Sequence, residues 1–359
     1  MAKKVMVICF WAMLVVPTLI YPLLKEVLPD ANTENRQLAE WPSGIPNPSK
    51  VEDYINDHAP FRSQFLSLYA GMNLTIFDSI DSKDVINGKE GWLFYTGNES
   101  IQAYRGMELY PDEYLELVVD YLERVRDRYA KSNEQFVFLI APDKEIVYDQ
   151  YMPEYYFKVS DSSKAKQMVA YIQAHSDIQV LYPLELLKEE SKRQLVYYKT
   201  DTHWNDVGGF MAAQELIGAL GGTKTAVDEV TVDFAPMKPG DLGNMFHMPA
   251  GMCEDYDATV SGYHDEAELN YLEDDNAGTG VIHVVNDGAV EKRKLTMVRD
   301  SFGQATIKPL SKYYGETVFV NWEKMTPGME ALQDTDLFVY ELVERNLGRI
   351  LDDLDALLK

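Results

Sequence analysis

The chain has 359 residues, of which 46% are hydrophobic and 25% are charged, so it can form a folded domain with a large core and is not expected to be disordered. Its formal net charge of -25 at pH 7 would repel a polyanion over most of the surface, which argues against a nucleic-acid-binding protein. Only Cys9 and Cys253 are present, and Cys9 lies in an apolar run, so we expect no disulfide within the folded part.

The N-terminus has the pattern of a single membrane anchor. Lys3 and Lys4 precede an uncharged stretch from Val5 to Leu24, which at about 1.5 Å per residue is long enough to cross a bilayer. A cleaved signal peptide would have a shorter apolar core and a small-x-small cleavage site, and no such site follows this stretch. We therefore expect residues 1–25 to form a cytoplasmic tip and an uncleaved transmembrane helix in the cell membrane, with residues 26–359 on the extracytoplasmic side.

The segment after the predicted anchor leads into the folded domain. Residues 26–50 are rich in Pro, Asn and Ser without clear periodicity, which predicts an extracytoplasmic stalk. Within residues 51–74 apolar side chains recur at helical spacing, and residues 84–95 then alternate around two glycines, which predicts a hairpin. We expect one folded domain over residues 51–359.

Helical and strand-like patterns alternate along the rest of the chain. Helices are predicted at 111–132, 163–175, 206–220 and 346–358, and short apolar strands at 136–141, 178–182, 295–298, 318–321 and 337–342. This alternation predicts an α/β architecture in which a parallel sheet is covered by helices on both faces. Residues 237–280 are acidic and Gly-rich, and they are predicted to be an irregular surface insertion at the rim of a site.

The strongest local signal for chemistry is the segment VRDSFG at residues 298–303. It places Ser301 directly after a buried strand and before a predicted helix. Functional sites of parallel α/β sheets collect at the carboxyl ends of the strands, and N–H groups at a helix start can stabilise an oxyanion there. Ser301 is therefore a candidate nucleophile, and the alternative is that Asp300 and Ser301 only cap the following helix.

A serine nucleophile needs a base, and His203 is the best placed of the six histidines. It lies in a loop just before a predicted helix, and Asp201 lies two residues upstream. In an extended loop both side chains leave the same side of the backbone, so the carboxylate of Asp201 could orient the imidazole. The alternative is that the polar residues of this loop cap the helix while His203 packs on Trp204.

A metal site is the alternative to this serine chemistry. Asp201, His203 and Asp300 offer oxygen and nitrogen ligands for a divalent ion. A tetrahedral zinc site usually contains more His or Cys ligands, and neither an HExxH nor a CxxC motif occurs in the sequence. We therefore predict no metal and no other cofactor.

Seven short segments together carry a family resemblance. Each segment alone is weakly specific, but their order along the chain is specific. They are Asn35-Arg36, NDHAPFR at 56–62, NGKEGWLF at 87–94, APDK at 141–144, DTHWN at 201–205, GDL at 240–242 and RDSFG at 299–303. Together they resemble the SGNH-hydrolase-like domain of the alginate O-acetylation proteins AlgX and AlgJ and of the related bacterial DHHW proteins. The resemblance implies a three-layer α/β/α SGNH-hydrolase-like fold.

The resemblance also implies an activity and its catalytic residues. The catalytic Asp and His of the family match Asp201 and His203, and its nucleophilic serine matches Ser301. In this family the Asp-x-His segment precedes the serine, as it does here. The implied reaction is acetyl transfer to a cell-surface polysaccharide or exopolysaccharide through an acetyl-serine. A carbohydrate acetylesterase with the same triad and a non-catalytic glycan-binding or assembly protein are the alternatives.

Substrate contacts and partners follow from the same interpretation. The Ser301 N–H is expected to bind the oxyanion, and Arg299, Trp204, Asn205 and Trp92 are expected to contact the oxyanion or the substrate. Indole rings stack on sugars, although aromatic side chains in a large core more often only pack. Acetyl-coenzyme A is cytoplasmic, so the acetyl group must cross the membrane, and the resemblance suggests a multi-pass membrane-bound acyltransferase-type protein as the donor.

Overall fold

The computed structural model describes residues 2–25, 38–44, 47–130, 132–326 and 328–359. Residues 26–37 and 45–46 of the predicted stalk lie outside this part, and the Asn35-Arg36 segment lies outside it with them. The N-terminal helix α1, Ala2–Leu24, is long and apolar enough to cross a membrane, a test of length and composition that signal sequences also pass. The predicted apolar helix is therefore present, whereas its insertion and retention stay predictions.

The folded part contains short helices and eleven strands among the described residues. The helices are α2 Pro48–Asp57, α3 Arg62–Phe77, α4 Ser100–Arg105, α5 Asp112–Tyr129, α6 Lys144–Val147, α7 Lys164–His175, α8 Leu184–Glu190, α9 Asp206–Ala219, α10 Asp241–Met245, α11 Ile307–Tyr313 and α12 Ile350–Leu358. The strands are β1 Val85–Asn87, β2 Leu93–Tyr95, β3 Phe136–Ala141, β4 Gln179–Leu181, β5 Thr231–Pro236, β6 Tyr256–Ser261, β7 Leu269–Asp274, β8 Val281–Asn286, β9 Glu291–Arg299, β10 Tyr314–Asn321 and β11 Leu337–Val343. Every helix and strand predicted after residue 110 overlaps one of these elements.

The central sheet has seven strands in the order β4-β3-β11-β9-β10-β8-β7. The first five are parallel, whereas β8 and β7 add to the edge in antiparallel register. The prediction of a parallel sheet is therefore wrong for these two strands. A crossover between parallel strands takes a dozen or more residues, and residues 275–280, which join β7 to β8, are too few for one. Residues 287–290, which join β8 to β9, are also too few, so β8 runs opposite to β9 and to the parallel strand β10 between them.

Helices cover both faces of the sheet, which confirms the predicted three layers. All six residues of β3 are buried, and they alternate between the two sides. Phe138 and Ile140 pack with the apolar residues of α5, α7 and α12, whereas Val137 and Leu139 pack with those of α9 and α11. Burial on both faces explains why this strand reads as an uninterrupted apolar run.

Two regions outside the sheet differ from the sequence prediction. The helical pattern at 51–74 forms two helices, α2 and α3, because the chain breaks at Pro60 and at Phe61, whose φ is 59°. The predicted hairpin is present as the antiparallel pair β1–β2. Within 237–280 the structure has α10, β6 and β7, which we did not predict because their exposed polar residues hide the alternation.

Candidate active site

Ser301 lies at the carboxyl end of β9, in the turn that leaves the sheet between β11 and β10. A 3₁₀ turn, Phe302–Thr306, follows it. The buried carboxylate of Asp300 accepts hydrogen bonds from the N–H groups of Phe302 and Val343, each at 2.9 Å, and so ties the turn to β11. The Ser301 side chain makes no capping hydrogen bond and is exposed, which leaves its hydroxyl available.

The loop that precedes α9 brings an imidazole to this hydroxyl. Nε2 of His203 lies 2.8 Å from Oγ of Ser301, and Nδ1 of His203 lies 2.6 Å from Oδ1 of Asp201. Because Nδ1 faces a carboxylate, this network puts the proton on Nδ1 and leaves Nε2 to accept the hydroxyl proton. The structure therefore brings the three sequence-predicted side chains into one continuous chain of hydrogen bonds.

The carboxylate of Asp201 is fixed from several sides. It also accepts the backbone N–H of His203 at 3.0 Å and that of Asp241 at 2.9 Å. Burial raises the pKa of the Asp201 carboxyl, but the hydrogen bond and charge of His203 outweigh it, so the pKa lies below its ordinary value. Asp201 is therefore ionised at neutral pH and can stabilise an imidazolium on His203.

Close packing joins the loop that carries His203 to the turn that carries Ser301. The Trp204 indole N–H donates a hydrogen bond to the carbonyl of Phe302 at 2.8 Å. One turn further along, Gly209 on α9 lies so close to Ala305 that a Cβ at this position would collide with it. This close approach is possible because glycine has no side chain, and it sets the distance between the two parts of the site.

Lys144 supports the same loop from inside the domain. Its fully buried ammonium group donates hydrogen bonds to the carbonyls of Tyr198 at 3.2 Å, Lys199 at 3.1 Å and Asp201 at 2.5 Å. Burial lowers the pKa of Lys144 to about 8, although the carboxylates around it act in the opposite direction. A single buried cation therefore binds three carbonyls of the loop that carries the candidate base.

Two further carboxylates hold the threonines of this loop. Thr200 donates its N–H and its hydroxyl to Oδ2 of Asp255, each at 2.7 Å. Thr202 donates its N–H to Oδ1 and its hydroxyl to Oδ2 of Asp241, also at 2.7 Å. Oδ2 of Asp241 lies 3.9 Å from Nδ1 of His203, so a second carboxylate faces the imidazole. Sequence reasoning missed the roles of Asp241 and Asp255, and the one signal for Asp241 is its place in the family segment GDL at 240–242.

Two cavities meet at Ser301. One, of about 530 Å³, lies on the α9 side and is lined by His203, Phe210, Val260, Tyr263, Arg299 and Pro309 among others. The other, of about 510 Å³, lies on the opposite side and is lined by Asn98, Asn321, Trp322, Arg345, Asn346 and Arg349 among others. Because Ser301 forms part of both walls, a group bound in either cavity can reach its hydroxyl.

Two of the residues predicted to contact the oxyanion or the substrate lie in the wall of the first cavity. Arg299 is 5% exposed, and its Nη1 donates a hydrogen bond to the carbonyl of Asp300 at 3.1 Å. Gly303 makes room for it, since a Cβ there would lie 2.6 Å from Cβ of Arg299. Trp204 reaches the same wall although it is 1% exposed.

The other two predicted substrate contacts are wrong. Asn205 is fully buried as the N-cap of α9, and its Oδ1 accepts the N–H groups of Val207 and Gly208 at 3.0 and 3.2 Å. Trp92 is 1% exposed and stacks on the buried ring of Tyr148 with centroids 4.0 Å apart. Asn205 therefore positions the helix after His203, and Trp92 belongs to the core.

The donor atoms of Asp201, His203 and Asp241 lie within 4.8 Å of one another, the spacing of a metal ligand set. Each of these side chains is already engaged: Nδ1 of His203 faces Asp201, and both carboxylates accept protein N–H groups. The fourth candidate ligand, Asp300, accepts its hydrogen bonds inside the serine turn. The donor set therefore fits a hydrogen-bonded relay better than a cation site.

Comparison with families and relatives agrees with the motifs. Residues 85–262 match the family model described as SGNH hydrolase-like domain, acetyltransferase AlgX, which confirms the recognised resemblance. The matched residues include Asp201 and His203 and end before Ser301. A probable alginate O-acetylase AlgJ of Pseudomonas syringae is 28% identical over 179 residues, 47% of this chain and 41% of that protein. The Pseudomonas putida counterpart is 28% identical over 203 residues, 54% of this chain and 50% of that protein. The match thus spans half or less of these relatives.

Solved structures show the same fold. PatB1 of Bacillus cereus superposes with a TM-score of 0.52 at 16% sequence identity, over 74% of this chain and 96% of that one. A DHHW family protein of Eubacterium siraeum superposes with a TM-score of 0.50 at 12% identity, over 76% of this chain and 97% of that one. The chain therefore has the SGNH-like α/β fold that the motifs predicted.

Proposed function

We propose that this chain is a membrane-anchored, extracytoplasmic O-acetyltransferase that acts on a cell-surface polysaccharide or exopolysaccharide. The observation that carries the proposal is the continuous contact from Asp201 through His203 to the exposed hydroxyl of Ser301. The family match and the naming of the AlgJ relatives as probable alginate O-acetylases favour acetyl transfer to a polysaccharide over other acyl chemistry.

The first half-reaction acylates the serine. Nε2 of His203 takes the proton of the Ser301 hydroxyl while Oγ attacks the acetyl carbonyl of the donor. The donor C–O bond then breaks, and His203 returns the proton to the leaving oxygen, which leaves an acetyl ester on Ser301. Asp201 stabilises the imidazolium that forms in between.

The second half-reaction passes the acetyl group to the acceptor. A sugar hydroxyl gives its proton to His203 and attacks the ester carbonyl, and the Ser301 oxygen then leaves with that proton. The N–H of Ser301 is the proposed oxyanion donor, worth about 3 to 4 kcal/mol by analogy with measured oxyanion holes. The N–H of Phe302 is less suited to this role because Asp300 already accepts it.

The membrane location belongs to the same proposal. An α1 helix that crosses the membrane with Lys3 and Lys4 on the cytoplasmic side leaves the domain outside. Acetyl-coenzyme A stays in the cytoplasm, so the proposed donor is a multi-pass membrane-bound acyltransferase-type protein that carries the acetyl group across.

A carbohydrate acetylesterase is the second candidate. The exposure of Ser301 favours it, since water can reach an acetyl-serine there as well as a sugar can. The third candidate, a non-catalytic glycan-binding protein, is disfavoured by the unbroken contact between the three side chains.

An acyl-transfer assay separates the three candidates. The purified full chain is incubated with an aryl acetate, with and without an oligomannuronate or a neutral oligosaccharide, beside Ser301→Ala. Acetylated oligosaccharide supports the transferase, and phenol release that no sugar accelerates supports the esterase. Turnover equal to that of Ser301→Ala would contradict both enzymatic proposals.

A further inference from the structure

The outer side of α3 is an exposed apolar stripe. Its members recur at three- and four-residue spacing, which puts them on one side of the helix, and each is 50 to 61% exposed: Phe65, Leu68, Tyr69, Met72 and Ile76. We call these five residues the α3 face. Isolated apolar side chains on a surface need no explanation, whereas a contiguous set of this kind marks a contact surface.

The domain holds α3 so that this face points outward. On the inner side, Ala70 is buried in a cluster with Leu242 and Phe246. A Cβ at Gly71 would lie 3.0 Å from Cγ of Pro249, so the helix is in close contact with the segment after α10. The packing therefore prevents α3 from turning its apolar stripe inward.

The charge pattern of α3 is that of a surface turned away from bulk water. The chain has 58 acidic residues among 359, yet none of them lies in Arg62–Phe77. Arg62 is the single charged residue of the helix, at its first position. The helix itself therefore carries no carboxylate, and the exposed Asp81 accepts a hydrogen bond from the hydroxyl of Tyr69 at the edge of the α3 face, at 3.0 Å. An uncharged apolar face on an otherwise anionic protein suits contact with a hydrophobic or anionic partner.

The position of α3 identifies that partner. Phe61, which precedes the helix, contacts the ring of Tyr21 in α1, with centroids 5.2 Å apart and an interplanar angle of 77°. Tyr21 lies in the last turn of the helix proposed to cross the membrane. Aromatic residues at the end of a membrane span lie at the headgroup level, so the first turn of α3 begins at that level.

We propose that the α3 face lies on the outer surface of the bilayer that α1 crosses, as an interfacial helix with its apolar side chains among the lipid headgroups and upper acyl chains. This inference rests on the proposed membrane anchoring and not on the proposed chemistry. Since α3 packs on Leu242 of α10, whose first residue is Asp241, the bilayer contact would fix the height of the candidate site above the membrane.

A lipid-quenching experiment tests the inference on the full chain in nanodiscs. The probe is an environment-sensitive fluorophore on one cysteine, placed by Leu68→Cys or Met72→Cys after Cys9→Ser and Cys253→Ser. The matched control is Leu117→Cys on α5, which is 50% exposed like the α3 positions. Val15→Cys reports insertion of α1. The discs contain phosphatidylcholine and phosphatidylglycerol, with and without nitroxide-labelled lipid, and no other protein.

We expect a fluorophore at position 68 or 72 to show blue-shifted emission and quenching by the nitroxide lipid. A fluorophore at position 15 should be quenched, and one at position 117 should show neither effect. Quenching at 15 but not at 68 or 72 would overturn the bilayer contact alone and leave the anchor intact, as would happen if a protein partner covered the face. No quenching at 15 would overturn the anchor and the inference together. Aryl acetate turnover by the same samples reports on the chemistry separately.

Discussion

The two parts of the candidate site are positioned in different ways. Ser301 follows a buried strand in the middle of the sheet, so apolar burial and ladder hydrogen bonds place the serine, and the buried carboxylates of Asp300 and Glu341 add hydrogen bonds that hold its turn on β11. The loop at 198–203 lies outside the sheet, next to an isolated bridge between Tyr197 and Trp204. The N–H groups of Leu93 and Gly243 donate to two of its carbonyls, and the charged side chains of Lys144, Asp241 and Asp255 supply most of its other contacts. The site therefore combines a nucleophile placed by the fold with a base placed by buried charges, and the second should be the easier to disturb.

Asp201→Asn should give the largest loss. The amide keeps the size of the side chain but removes the charge that stabilises the His203 imidazolium and favours the other tautomer. We expect kcat for an aryl acetate to fall by about 10³- to 10⁴-fold. Thermal unfolding should change little, and Asp228→Asn, on an exposed ion pair, is the matched control. A loss below about tenfold would show that Asp201 does not act on His203.

Lys144→Met should disturb the loop that carries His203 and leave the turn that carries Ser301 unchanged. Without the ammonium group, the carbonyls of Tyr198 and Asp201 lose this donor and that of Lys199 keeps the N–H of Leu93, so His203 should shift while Ser301 stays in place. We expect kcat to fall by about 100-fold, the usual effect of a misplacement near 1 Å. Hydrogen exchange should rise at residues 198–205 and stay unchanged at 295–302. Lys188→Met, at a partly exposed ion pair, is the control, and equal exchange changes in both segments would contradict the comparison.

Asp241→Asn should have a smaller effect because the neutral amide can still accept the N–H of Thr202. The change removes the second negative charge near the imidazole, 3.9 Å from Nδ1, and puts an NH2 group in place of the oxygen that accepts the Thr202 hydroxyl. Because both side chains are partly exposed to solvent, a charge at this distance is worth about 1 to 2 kcal/mol, so kcat should fall by about 5- to 30-fold. A loss as large as that of Asp201→Asn would mean that the two carboxylates share one role.

The smallest effect concerns pH and stability. The pKa of Lys144 is about 8 in the folded state, and its ordinary value is 10.5. Below pH 8 Lys144 is therefore protonated in the folded and in the unfolded state, and the cost of burying its charge lowers the free energy of unfolding in full. Above pH 8 the folded state loses this proton first, and the unfolded state binds more protons. Stability should therefore gain about 1 kcal/mol between pH 8 and 9 relative to Lys144→Met. Parallel pH curves in urea unfolding would contradict this origin.

The sequence predicted the serine part of the site better than its surroundings. A buried strand followed by Ser301 is a local pattern, and the short links within the α/β alternation made the sheet centre predictable. Lys144 and Asp255 could not be assigned, because a buried charge has no periodic signature in the sequence. The backbone groups that Lys144 binds lie 54 to 57 residues further along the chain, and the backbone N–H that Asp255 binds lies 55 residues before it. Trp92 was misassigned because a tryptophan in the sequence is equally consistent with packing in the core and with stacking on a sugar.

The role of Ser301 as nucleophile is tested most directly by intact-protein mass spectrometry of the full chain after incubation with an aryl acetate, beside Ser301→Ala and His203→Ala. We expect one acetyl adduct on the native chain that maps to Ser301, none on Ser301→Ala and little on His203→Ala. An adduct that persists in Ser301→Ala, or no adduct and no ester turnover in any of the three proteins, would contradict the assignment of Ser301 as the nucleophile.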